Sequence, residues 1–236
     1  GMEFTERRGR TYPGVQPADY AGGRIECVDL ASGDVETLYT HVDGRALRGP
    51  NDLVFDRTGG FWFTDHGKVR PREHDRTGVF YAAADGSSIT EVIFPLEAPN
   101  GIGLSPDERE LYVAETPTGR LWAYELAGPG VLLGDRRDKP DGGRLVRGRA
   151  GFFNFDSLAV DADGNVCVAT IVDGGITVLS PSGDAPRLVP LPDRITTNIC
   201  FGGPDLATAF ITLSSTGQLI AMPWERPGLP LNFLNT

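Results

Sequence analysis

Four short phrases in this 236-residue chain begin on a side chain able to donate oxygen to a cation: Asn51, Asn100, Asp156 and Asn198. Each phrase reads as a strand, a polar turn and a second strand, as in Asp156-Ser-Leu-Ala-Val-Asp-Ala-Asp-Gly-Asn-Val-Cys-Val-Ala-Thr170. Amide and carboxylate oxygens are hard donors. Three Asn and one Asp gathered at a point would suit a hard divalent cation. Each head also has a plainer reading: a turn or capping carboxylate for Asp156, an Asn-Gly turn for Asn100, a junction between sheets for Asn51, a structural amide for Asn198.

The elements that would gather these heads are legible from spacing. The heads lie 49, 56 and 42 positions apart, a period that points to β-propeller blades. Equivalent ends of successive blades converge on one axis, so the four heads would face one another. Apolar and polar residues alternate along Arg120-Leu-Trp-Ala-Tyr-Glu-Leu126, Ile25–Leu30, Gly78–Ala83, Gly175–Ser180 and Gly217–Met222, the period of a strand. A further strand is expected at Val35–Tyr39, Thr90–Phe94, Arg144–Arg147 and Arg187–Leu191. The unit is then four strands, the innermost carrying the head. Asp85-Gly86, Asp163-Gly164 and Ser182-Gly183 supply hairpin turns. The Phe61-Trp62-Phe63 run is expected to serve blade core and inter-blade packing alternately. Two charged stretches interrupt the pattern: Lys68–Thr77, read as a loop over one face, and Asp135–Gly143, read as a solvated loop. Four whole blades follow Asn51, and residues 21–40 supply the last two strands of another.

Composition narrows the classes. A net charge of −10 argues against nucleic acid and anionic membranes as partners. No apolar run approaches the roughly 20 residues of a membrane span, and the first eight residues hold no apolar signal-type region. The three cysteines have no metal-type spacing, and Cys167 and Cys200 are expected to be buried. With an odd cysteine count, this favours a reducing, cytoplasmic setting. The three histidines show no zinc spacing. His41 and His74 are expected in solvent, and His66 either lines a pocket or sits in a surface loop. No Gly-x-Ser-x-Gly elbow is present.

Gly49-Pro50-Asn51-Asp52-Leu53, Pro99-Asn100-Gly101, Phe155-Asp156-Ser157-Leu158 and Thr196–Gly203 together resemble the gluconolactonase, regucalcin and luciferin-regenerating family, from about residue 12 to 233. The resemblance implies an all-β, six-bladed propeller, with about four and a half blades in a single domain spanning 1–236, lacking the first. It also implies one divalent cation on the axis, Ca²⁺ foremost, with Mg²⁺, Mn²⁺ or Zn²⁺ as alternatives. Asn100 and Asp156 match the ligands, and Asn51 a further axial Asn contacting substrate or water. The family's first-blade Glu ligand has no counterpart. The expected substrate is a small lactone, often of a sugar acid, with Asp156 as general base and His66, Thr197 and Asn198 as walls. The alternative is a non-catalytic binding propeller. An open arc would leave blade faces and strand edges uncovered, so self-association, most simply as a dimer, is expected.

Overall fold

The computed structural model describes residues 3–134, 142–148 and 151–234. Most of the charged stretch expected as a solvated loop, residues 135–141, lies outside the described residues. Among the described residues there is no helix, and none that is long and apolar enough to cross a membrane. A hairpin of β1 (Phe4–Arg7) and β2 (Arg10–Pro13) opens the chain, turning on Arg8 and Gly9 with φ of 54° and 69°. β3 (Ile25–Val28) pairs with β4 (Val35–Tyr39), the expected half-blade, and β5 (His41–Val42) pairs with β6 (Arg45–Ala46).

Four antiparallel sheets follow in chain order. The first holds β7 (Pro50–Phe55), β8 (Gly60–Asp65), β9 (Thr77–Ala83) and β10 (Ile89–Leu96). The second holds β11 (Pro99–Leu104), β12 (Glu110–Glu115), β13 (Arg120–Gly128), β14 (Val131–Leu132) and β15 (Arg144–Arg147), the last pairing with β13. The third holds β16 (Asn154–Val160), β17 (Val166–Ile171), β18 (Gly175–Leu179) and β19 (Arg187–Pro190). The fourth holds β20 (Thr196–Gly202), β21 (Thr208–Leu213) and β22 (Gln218–Pro223). That sheet has three strands among the described residues rather than the expected four. Pro223, Pro227 and Pro230 cannot donate to a ladder, and the chain instead turns inward, burying Trp224.

The inner strands β7, β11, β16 and β20 stand side by side in order, and the core fills the gaps between sheets. Strand alternation sends Trp62 to one gap, against Ile102, Leu111, Val113 and Tyr124, and sends Phe61 and Phe63 to the other, with Tyr39, Val42 and Phe80. Phe63 and Phe80 stack with centroids 5.1 Å apart. The aromatic run therefore divides between two interfaces as its pattern predicts. Each such side chain contributes about 1.5–3 kcal/mol by leaving water.

Two segments tie the sheets across the two ends. At the head end, Thr11 N–H donates to Ser215 O of the last sheet (3.1 Å), and Gln16 N–H to Val69 O beside the first (3.0 Å). At the opposite, foot end, Leu229 N–H donates to Val160 O (3.0 Å), while Asn232 Nδ2 reaches Phe55 O (3.0 Å) and Glu108 Oε1 (2.8 Å). The C-terminal segment thus runs under the inner strands of the third, second and first sheets.

Candidate functional site

Every inner strand carries a β-bulge at its head. The ladder slips between Pro50 and Leu53, between Pro99 and Ile102, between Phe155 and Leu158, and between Thr196 and Asn198. A bulge puts two residues opposite one and re-aims both side chains. The pairs are Asn51-Asp52, Asn100-Gly101, Asp156-Ser157 and Thr197-Asn198. This corrects the fourth head by one residue. Thr197, not Asn198, holds the position of Asn51, Asn100 and Asp156, while Asn198 is equivalent to Asp52, Gly101 and Ser157. The same slip bears on Cys200, which is exposed rather than buried: Ile199 takes the buried face, and Cys200 points the other way.

Gly101 lets the second and third heads meet. A Cβ there would lie 2.6 Å from Leu158 N and 2.7 Å from Asp156 O, so only glycine admits this approach. Asn100, buried at 4% exposure, then lies against the Asp156-Ser157 bulge. Its Nδ2 donates to Thr116 Oγ1 (3.0 Å), its Oδ1 accepts from Ser157 Oγ (3.4 Å), and its amide also hydrogen-bonds the Asp156 carboxylate. Thr64, fully buried, clamps the neighbouring heads: its hydroxyl donates to Asn100 O (2.6 Å) and accepts from Asp52 N–H (3.2 Å).

Asp52 is the residue that alternation alone overlooks, since period two sets it on the face opposite Asn51. Its carboxylate accepts from the Leu53 N–H (2.9 Å), and the Ile102 N–H and Ser157 stand near it and favour its charged form. Burial pushes it up to about 6. Burial likewise pushes Asp156 up to about 7, with the charge of Asp52 adding to the rise. Among the described residues no ion pair reaches either carboxylate. Two adjacent carboxyls with values near neutrality can divide the roles of acid and base.

The other expected residues are placed as follows. Asn51 occupies the first bulge position but is exposed, and among the described residues no hydrogen bond ties its side chain to Asn100 or Asp156. His66 follows the head end of β8, partly buried, with its N–H on Gly49 O (2.9 Å) and its imidazole held low by burial. Thr197 shares a hydrogen bond with Thr212 (2.9 Å). Asn198 is exposed and lines, with Asp52, a cavity along the axis. His41 and His74 are exposed, and His74 Nε2 meets Glu97 (2.9 Å).

No three His, Cys, Asp or Glu side chains gather to hold a metal among the described residues. The donors present are Asp156, Asp52 and the Asn100 amide oxygen. That set fits a hard, oxygen-preferring cation, because two partly buried carboxylates here have no positive partner.

Sheets set around an axis, with a polar cluster at the heads of their inner strands, define a β-propeller. The chain matches the model of the SMP-30/Gluconolactonase/LRE-like region over residues 14–215, and it belongs to that family. It is 30% identical over 197 residues to the diisopropyl-fluorophosphatase of Loligo vulgaris, covering 79% of this chain and 60% of that one. It is 35% identical over 172 residues to the lactonase drp35 of Staphylococcus saprophyticus, covering 73% of this chain and 50% of that one. The chain thus spans half to three fifths of these relatives' length. Among solved structures, one described as a gluconolactonase of Xanthomonas campestris superposes with a TM-score of 0.68 at 26% identity, covering 85% of this chain and 65% of that one. Another, described as a putative gluconolactonase, gives 0.70 at 26% identity over 88% and 69%.

Proposed function

We propose that the cluster at the heads is the site of a lactone hydrolase that works with a divalent cation. The observation that supports it most is the convergence of Asn100, Asp156 and Asp52, which leaves two carboxylates pushed up by burial without a positive partner. Asn100 and Asp156 would hold the cation, with Asn51 at the rim; Ca²⁺ suits these oxygens, and Mg²⁺, Mn²⁺ or Zn²⁺ are the alternatives to test. When bound, the cation supplies polarisation of the ester carbonyl and stabilises the oxyanion of the addition step.

The chain's own groups do the proton work. Asp156, ionised, accepts a proton from the attacking water. Hydroxide adds to the acyl carbon, the ring C–O bond breaks, and the departing alkoxide takes that proton back from Asp156, which is left ionised for the next water. Asp52, the more acidic of the two, stays ionised beside it, with the Leu53 N–H donating to its carboxylate (2.9 Å). His66, kept neutral by burial, and Thr197 and Asn198 are the proposed walls for the substrate.

Acid release from δ-valerolactone in weak buffer tests this reading. Protein stripped with EDTA should be inactive and regain turnover with one of the four cations. Asp156→Asn should lose ~10²–10⁴-fold. Ca²⁺ binding without turnover on any lactone would establish instead a non-catalytic binding propeller, the reading favoured by a donor set of only two carboxylates.

A further inference from the structure

An amide can hold a cation only through its oxygen, because the other end of the group carries hydrogens. A carboxylate offers oxygen whichever way it turns. Of the two residues proposed to hold the cation, Asp156 therefore needs no help with orientation, and Asn100 does. The sheets offer such help at one recurring position, just past the head end of the second strand. The ladders pair Pro50 with Asp65, Pro99 with Glu115, Phe155 with Thr170 and Thr196 with Leu213. The next residues along are His66, Thr116, Ile171 and Ser214. In three sheets the N–H of this residue donates to the carbonyl two positions before the head: His66 to Gly49 (2.9 Å), Thr116 to Ala98 (3.2 Å) and Ser214 to Ile195 (2.8 Å). In the third sheet Ile171 pairs with Asn154, again two positions before the head.

The side chain at this position differs from sheet to sheet in step with the head. Beside Asp156 it is Ile171, which has no polar atom. Beside Asn100 it is Thr116. Among the described residues only Thr116 of the four sends its side chain to the head of its own sheet, and Asn100 Nδ2 donates to its Oγ1 (3.0 Å). With Nδ2 taken up there, Asn100 Oδ1 is turned to the Ser157 hydroxyl (3.4 Å), on the side of the Asp156 bulge. Thr116 is itself well fixed. Its β-branched side chain has few rotamers, and its carbonyl accepts from Gly119 N–H (3.3 Å). The preceding Glu115 carboxylate, buried, accepts from Glu97 N–H (2.8 Å) and Thr118 Oγ1 (2.7 Å).

We infer that Thr116 is a positioning residue, whose hydroxyl holds the Asn100 amide with its oxygen free for the cation. This rests on the hydrolase reading for the cation and on the hydrogen bonds for the orientation. Without an acceptor at position 116, the partners left to Nδ2 are Ser157 and the Asp156 carboxylate. An amide turned to them presents hydrogens where the cation needs oxygen.

Titration calorimetry tests this, with Ca²⁺, Mg²⁺, Mn²⁺ and Zn²⁺ each added alone to the EDTA-stripped full chain. Thr116→Val keeps the shape and removes the acceptor. It should weaken whichever cation the native chain binds by ~10–100-fold, the usual effect of losing a partner one shell out from a metal. Thr116→Ser keeps the oxygen and should restore most of the affinity. Thr116→Ala also lacks the oxygen and adds no bulk, so it should fall with Thr116→Val, and it decides the matter if circular dichroism shows the valine variant unfolded. Equal affinity in the native chain and a folded variant without the oxygen overturns the positioning role and leaves the cation site standing. A loss in Thr116→Ser as deep as in Thr116→Val overturns it too, since the oxygen is then not the cause. A native chain that binds none of the four cations overturns the cation reading, and this inference with it.

Discussion

At the scale of single residues, the site is governed by two carboxylates that burial keeps from ionising at their ordinary pH. Asp52 and Asp156 are pushed up to about 6 and about 7. The folded protein therefore retains protons that the unfolded chain releases near pH 4. The stability this provides is complete below about pH 4 and is lost as pH rises through about 6 and 7. Cation-stripped protein should therefore melt several degrees lower at pH 8 than at pH 5. Asp156→Asn should remove much of that slope and raise stability at pH 8 by on the order of 1–3 kcal/mol. Thermal scans in EDTA check both, and a flat pH profile in the native chain would contradict the electrostatics of the pair. Gly101 is the other decisive position. A methyl group there meets Leu158 N and Asp156 O, both backbone atoms that cannot rotate aside. Gly101→Ala should cost about 1–3 kcal/mol, read from denaturant midpoints, and should weaken cation binding by parting Asn100 from Asp156.

Among the elements, the inner strands owe their chemistry to the bulges, and here the sequence was only half readable. Val35–Tyr39 and Arg144–Arg147 form strands with the expected bounds, because alternation is a local property that a single segment displays. A bulge is a property of two strands in register, and no single segment displays it. Asp52 and the shift from Asn198 to Thr197 were hidden for that reason. One signal was present: each head is a pair of consecutive residues, most of them polar and poor strand formers, at the start of an otherwise apolar strand. The hairpin of β1 and β2 was hidden for a different reason. All four residues of β1 are exposed, so it has no buried face to write a pattern. Loops between sheets are fastened by buried acids. Asp193 accepts from Ile195 N–H (2.8 Å), Ser215 Oγ (2.5 Å), and Thr216 N–H and Oγ1 (2.9 and 3.0 Å). Asp193→Ala should cost about 2–4 kcal/mol by leaving several donors unpaired. Chemical denaturation measures this, and a loss below ~0.5 kcal/mol would show that water replaces the carboxylate freely.

For the whole molecule, the outer edge of β22 is unpaired among the described residues, and Leu219 on that strand is 67% exposed. An open edge of this kind recruits a second strand. We propose that two copies associate along it. Light scattering should show a dimer, with Leu219→Lys shifting it to monomer; a native chain monomeric at all concentrations would exclude the pairing. The other large-scale feature is the segment beneath the inner strands, where Asn232 is bonded to Phe55 across 177 positions. In the cell this distance is also a delay. A ribosome adding ~5–20 residues per second needs roughly 9–35 s to travel from one of these partners to the other. Until that delay ends, the bonds from Asn232 to Phe55 and Glu108 cannot form, and the foot of the inner strands stays uncovered. The nascent chain is then a natural client for holding chaperones until the last residues arrive to close it.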